Sequence, residues 1–121
     1  MLSWTTILSG AALSAAAAAV LVAFIPPRRP SLIPTAAVAG LAGPLAWNAI
    51  LRAVHAPGFF TDAPIAVFPA SWQDVGSGVF AVATSALAFG FGPLAADRGR
   101  RVVTAALLVG IAAFAVDIYL Y

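Results

Sequence analysis

The chain has 121 residues, of which 63% are hydrophobic and only 8% are charged. A soluble domain is about half apolar and about a quarter charged, so this composition predicts an integral membrane protein. Cysteine is absent, which excludes disulfides, thiolate metal sites and thiol nucleophiles, and the single histidine excludes a bis-histidine haem site within one chain.

Four apolar segments are long enough to cross a hydrocarbon core, which takes about 20 helical residues. They cover residues 5–25, 32–54, 73–95 and 102–121. Prolines and arginines follow the first segment, and the charged sequence ADRGRR follows the third, so we predict a short turn after each. The predicted fold is all-α: a four-helix transmembrane bundle of two antiparallel hairpins, forming a single domain over residues 1–121.

The arginines predict the orientation of the bundle. Five of the six lie in the two short turns: Arg28, Arg29, Arg98, Arg100 and Arg101. The positive-inside rule places these turns in the cytoplasm, with both termini and the longer 55–71 loop outside. Because the arginines flank apolar spans, we interpret them as topology signals and expect no nucleic-acid partner. Arginine without lysine, together with abundant alanine, is typical of high-GC bacteria and favours a bacterial cytoplasmic membrane.

The first span is rich in alanine and carries Gly10, Ser14 and Ala18 at four-residue spacing. Such a stripe lets helix backbones approach closely in lipid. The sequence MLSWTT before it lacks the positive charge of a signal peptide, so we expect this span to be retained as a helix.

The second span ends in AWNAILRAVH, where Asn48, Arg52 and His55 share a helical arc of about 60°. Asn48 lies deep enough to hydrogen-bond a neighbouring helix. Arg52 has two interpretations: its side chain reaches the headgroups, or it pairs with an acid inside the bundle. His55 is expected at the membrane interface.

The loop after this span is unusually apolar for a solvated connection. With Trp72, its aromatic residues Phe59, Phe60 and Phe68 predict a surface that lies on the membrane, folds over the bundle mouth or binds a partner protein. Ser71 and Asp74 have the spacing of a capping box at the start of the third span.

Asp117 is the most informative residue of the last span, because an unpaired carboxylate inside a membrane is costly. It shares a helical face with Gly110, Ala113 and Tyr121, and this face is small enough to pack inward. We therefore predict an Arg52–Asp117 pair with Asn48 beside it. The candidate binding cluster is Asn48, Arg52, His55 and Asp117.

Two function classes fit these features. The first is a non-catalytic accessory or assembly subunit of a larger membrane complex, and the second is a small oligomeric transporter or channel with a polar pocket in its outer half. An enzyme is not expected, because few titratable groups are available for acid–base chemistry. The expected partners are the lipid bilayer and either a membrane protein or further copies of this chain; no cofactor or metal is expected.

Overall fold

The computed structural model describes residues 2–24, 30–65 and 67–120. These ranges contain four α-helices, α1 (Trp4–Val22), α2 (Leu32–Val54), α3 (Trp72–Phe91) and α4 (Gly99–Tyr119), with a short 3₁₀ helix, Pro57–Phe60, between α2 and α3. All four α-helices are long and apolar enough to cross a membrane. The all-α prediction and the four candidate spans are confirmed. Arg28, Arg29 and Tyr121 lie outside the described residues.

Three helix boundaries differ from the prediction by several residues. Helix α1 ends at Val22 rather than at residue 25. Helix α3 ends at Phe91 rather than at residue 95, because Gly92 adopts a non-helical conformation (φ −112°, ψ −120°). Proline at position 93 disfavours helix at the residue before it, which explains the early end. Helix α4 begins at Gly99, immediately after the extended Arg98, rather than at residue 102.

The four α-helices pack in a ring, in which each contacts the next in sequence and α4 closes against α1. The interior of this ring consists mainly of small side chains, including Ala11, Ala18, Ala36, Ala81 and Ala113. Many large apolar side chains, such as Val20, Val38, Leu87 and Ile111, are exposed on the outside. Small residues inside and large ones outside are typical of helices that pack closely within lipid.

Close packing of the ring depends on glycine at particular crossings. A methyl group on Gly43 of α2 would lie 2.6 Å from the backbone of Ala81 in α3. At Gly40, a methyl group would lie 3.1 Å from the side chain of Ala18 in α1. Ser14 and Gly10 are buried as well, so the predicted small-residue stripe of the first span does face a neighbouring helix.

The connections divide the bundle into two ends. We call the end that carries the 55–71 connection the loop end, and the end that carries the α1–α2 and α3–α4 connections the turn end. The start of α1, the end of α2, the start of α3 and the end of α4 all lie at the loop end.

Candidate polar site at the loop end

Four buried polar side chains meet inside the bundle near the loop end: Asn48 of α2, Gln73 and Ser77 of α3, and Asp117 of α4. We call them the polar cluster. At its centre, the Gln73 amide nitrogen lies 3.0 Å from Asn48 Oδ1, 3.0 Å from Asp117 Oδ2 and 3.3 Å from Ser77 Oγ. An amide nitrogen has two hydrogens, so the two shorter contacts account for both. Gln73 thereby links three helices.

Asn48 completes its hydrogen bonds within its own helix. Its Nδ2 donates to the carbonyl of Pro44 at 2.9 Å, one turn earlier in α2. The side chain is 1% exposed, so both polar ends of the amide need a partner inside the bundle. The prediction that Asn48 bonds a neighbouring helix is confirmed, and the partner is Gln73.

Asp117 faces the interior because its side of α4 is small. Gly110 and Ala113 lie on that side and are buried with it. The predicted inward face of the last span is therefore correct over its described residues.

Arg52 has other partners than the predicted Asp117. Its Nη1 donates to the carbonyl of Leu2 at 2.6 Å, and its guanidinium lies 5.1 Å from the centre of the Trp4 ring. Among the described residues, no ion pair joins Arg52 to Asp117. An arc of about 60° on α2 is wide enough to straddle two neighbouring helices, so Asn48 turns toward α3 while Arg52 turns toward the start of α1.

His55 is placed outside the polar cluster. It is exposed and follows the last residue of α2 in the left-handed conformation, with φ 50° and ψ 65°. Its backbone N–H donates to the carbonyl of Arg52 at 3.4 Å, which helps to end the helix. The structure therefore places two of the four predicted cluster residues, Asn48 and Asp117, around Gln73.

The start of α3 has the predicted capping box. Ser71 Oγ accepts from the backbone N–H of Asp74 at 3.3 Å, and the Asp74 carboxylate accepts from the backbone N–H of Ser71 at 2.8 Å. The same turn is tied to α2, since Trp47 Nε1 donates to the carbonyl of Gln73 at 2.9 Å. This first turn is held from two sides, which fixes the position of the Gln73 side chain.

The apolar connection folds over the loop end of the bundle. Phe59 packs edge-on against Trp47, and Phe68 packs edge-on against Phe114, with ring centres 5.9 and 5.6 Å apart. The Tyr119 hydroxyl donates to the carbonyl of Val67 at 2.8 Å. Phe60 is only partly buried, and Trp72 is 68% exposed. Four aromatic residues remain partly exposed around the mouth of the bundle, and we call them the aromatic rim: Phe59, Phe60, Phe68 and Trp72.

A cavity of about 290 Å³ lies under this rim. Three carboxylic residues, Asp62, Asp74 and Asp117, line it, together with Ser71, Gln73 and the apolar Leu2, Phe60, Pro69 and Ile118. The described lining contains no basic side chain. The described residues contain no group of three His, Cys, Asp or Glu residues placed to hold a metal ion.

Gln73 is the functional candidate that the sequence prediction missed. The spacing of Ser71 and Asp74 predicts a capping box in this segment, and no function is predicted for the glutamine between them. A pattern in the sequence could have indicated that Gln73 points inward. Buried residues follow one another at four-residue spacing along α3, beginning at Gln73: Ser77, Ala81, Ser85 and Phe89. A polar residue at the head of such a face indicates an inward-pointing side chain.

Comparisons with known proteins identify no relative of this chain: no family model, curated protein or solved structure matches it.

Proposed function

We propose that the chain is a non-catalytic accessory or assembly subunit of a larger membrane complex. The observation that carries this proposal is the pair of hydrogen bonds that Gln73 donates to residues of two neighbouring helices. Its amide bonds Asn48 and Asp117 at 3.0 Å each, so these deep polar groups serve to join α2, α3 and α4. Interhelical hydrogen bonds of this kind stabilise a bundle in lipid.

The aromatic rim is the surface that we assign to the partner. Exposed aromatic side chains are enriched at protein interfaces, because they bury a large area at a low entropic cost. Trp72 is the strongest candidate, since it is 68% exposed at the first position of α3. The partner in this proposal is another membrane protein that covers the rim.

Gentle detergent extraction from the native membrane, followed by native mass measurement, tests this proposal. We expect a complex containing at least one different chain, and we expect Trp72→Ala to release that chain. Phe91→Ala is the matched control, because Phe91 is 85% exposed at the opposite end of α3. A homo-oligomer or a monomer in the wild type, or equal release by both variants, would contradict the proposal.

The acid-lined cavity favours a second candidate function, a small oligomeric transporter or channel for cations. Asp62 lines the cavity and is exposed, and a carboxylate in this position raises the local concentration of cations. Proton flux into vesicles containing the purified chain, followed with an entrapped pH dye, tests this candidate. Asp62→Asn should slow the flux while leaving the helical content unchanged; flux equal to that of protein-free vesicles would reject it.

We also propose that the loop end faces outward, with both termini outside, in a bacterial cytoplasmic membrane. The described arginines at the turn end, Arg98, Arg100 and Arg101, support this orientation through the positive-inside rule. Because the chain contains no cysteine, single cysteines can be introduced without background labelling. In intact cells, an impermeant maleimide should label Thr61→Cys and spare Ala96→Cys; the reverse pattern would invert the orientation.

A further inference from the structure

The turn end carries a concave patch lined by arginines. A cavity of about 620 Å³ is formed there by Ala96, Asp97, Arg98, Arg100 and Arg101. Three arginines against one aspartate leave this patch with a formal charge of +2. We call it the arginine patch.

Among the described residues, one ion pair neutralises part of the charge of the patch. The Arg101 guanidinium pairs with the Asp97 carboxylate at 3.2 Å, one helical turn away. Arg98 and Arg100 are exposed, and neither forms an ion pair with another described residue. Two cationic side chains of the patch therefore face outward without an intrachain counterion in the described structure.

The patch adjoins apolar surface that ends abruptly at the turn. Phe91, the last residue of α3, and Val103, in the second turn of α4, are both well exposed. In a bilayer, such side chains contact acyl chains, and arginines a few residues away lie at the depth of the lipid headgroups. This geometry brings Arg98 and Arg100 to the level of the phosphates.

From this arrangement we infer that the arginine patch binds the phosphate of an anionic phospholipid, with Arg98 and Arg100 as its ligands. A guanidinium presents two parallel N–H donors that match phosphate oxygens. A glycerol headgroup leaves the lipid with its negative charge, which complements the patch. A choline headgroup would bring a second cation close to the arginines, so the patch should prefer phosphatidylglycerol to phosphatidylcholine.

The test is competition between these two lipids for the full chain. The purified protein in a neutral detergent is mixed with equimolar phosphatidylglycerol and phosphatidylcholine of identical acyl chains, and native mass spectrometry counts the bound lipids. We expect the wild type to retain mainly phosphatidylglycerol. One basic residue at an anionic surface is worth about fivefold in affinity, so R98Q/R100Q should weaken phosphatidylglycerol binding about 25-fold.

Two control variants separate local from global charge. R98K/R100K keeps both charges and should retain most of the preference. Asp62→Asn raises the net charge at the opposite end of the bundle, well beyond the screening length of about 10 Å, and should leave the preference unchanged. If Asp62→Asn strengthens lipid binding as much as R98Q/R100Q weakens it, net charge explains the result and the patch does not.

Three further outcomes would overturn the inference: equal binding of both lipids by the wild type, an unchanged preference in R98Q/R100Q, or full displacement of the lipid by inorganic phosphate at millimolar concentration. The last outcome would identify a site for free phosphate. Circular dichroism monitors folding of each variant. If the double variant loses helix, the single variants Arg98→Gln and Arg100→Gln replace it, each with an expected loss of about fivefold.

Discussion

Gln73 and Asp117 lie 44 residues apart in the sequence, and the amide of the first donates to the carboxylate of the second at 3.0 Å. Both side chains are almost fully buried. The bond joins the first turn of α3 to the last turn of α4, and the same amide nitrogen donates to Asn48 on α2. One neutral side chain thus organises the polar interior at the loop end.

Replacing Gln73 should therefore destabilise the bundle. Gln73→Leu keeps a similar volume but removes the donor, leaving the buried oxygen of Asn48 without its interhelical bond. Such bonds in membrane proteins are worth about 0.6–2 kcal/mol each, so we expect a loss of about 1–2 kcal/mol in the free energy of unfolding. Reversible denaturation in mixed micelles measures this loss.

The neighbouring Trp72 provides the control for this experiment. Its side chain is mostly exposed, so Trp72→Ala should change the unfolding free energy by no more than about 0.5 kcal/mol. Wild-type stability in Gln73→Leu would show that the amide does not hold the helices together.

Gly43 should tolerate no side chain, because its crossing with α3 is too close. In Gly43→Ala, the new methyl group would lie 2.6 Å from backbone atoms of Ala81, which cannot move unless the helices separate. Overpacking of this kind costs about 1–3 kcal/mol. Gly58→Ala is the matched variant, since nothing lies within 4 Å of its added methyl group. Denaturation midpoints should fall for the first variant and stay near the wild type for the second; equal midpoints would refute the close crossing.

Arg52 should act on the start of α1 and not on Asp117. Arg52→Gln removes the donor to Leu2 and the contact with the Trp4 ring, so backbone amides in the first turns of α1 should exchange with deuterium faster. Mass spectrometry of peptides from the exchanged protein measures this rate. Peptides that contain Asn48 should keep the wild-type rate.

A charge exchange between Arg52 and Asp117 gives a sharper test of the same arrangement. Because the two side chains have separate partners, the stability lost in the double variant R52D/D117R should equal the sum of the losses in the two single variants. The coupling energy between the two positions should be below about 0.5 kcal/mol. If the double variant recovers much of the lost stability, the result would support the Arg52–Asp117 ion pair that the sequence predicted.

His55 occupies a backbone conformation that suits glycine better. Its φ of 50° is in the left-handed region, which costs an ordinary L-residue about 1–2 kcal/mol, whereas glycine adopts it without penalty. We expect His55→Gly to raise the unfolding free energy by about 0.5–1 kcal/mol and His55→Val to lower it. Thermal denaturation in detergent compares the two; a fall in both would mean that the imidazole contributes more than the backbone loses.

The sequence allowed much of this fold to be predicted, because the length and apolarity of a membrane span are read directly from composition. The bounds of α2 agree with the prediction to the residue, since polar and turn-forming residues flank it at both ends. The end of α3 was less predictable: residues 92–95 are apolar, and only the backbone around Gly92 and Pro93 ends the helix. Hydropathy therefore locates a span better than it locates its last turn.

The polar site was predicted only in part, for a geometric reason. Helical spacing gives the face of the helix that Asn48 and Asp117 each occupy, and both side chains do point into the bundle. It does not give the rotation of one helix relative to another, which is set by contacts such as Gly43 against Ala81. Arg52 was therefore assigned to the wrong neighbour, and Gln73 was assigned only to the cap.

All three tryptophans of the chain lie at the loop end: Trp4 at the start of α1, Trp47 near the end of α2 and Trp72 at the start of α3. Tryptophan fluorescence consequently reports on the loop end of the molecule and not on the turn end. Binding of a partner at the aromatic rim should shift the emission spectrum, whereas binding of a lipid at the arginine patch should leave it unchanged. The protein carries its own optical label for the end at which we expect its partner to bind.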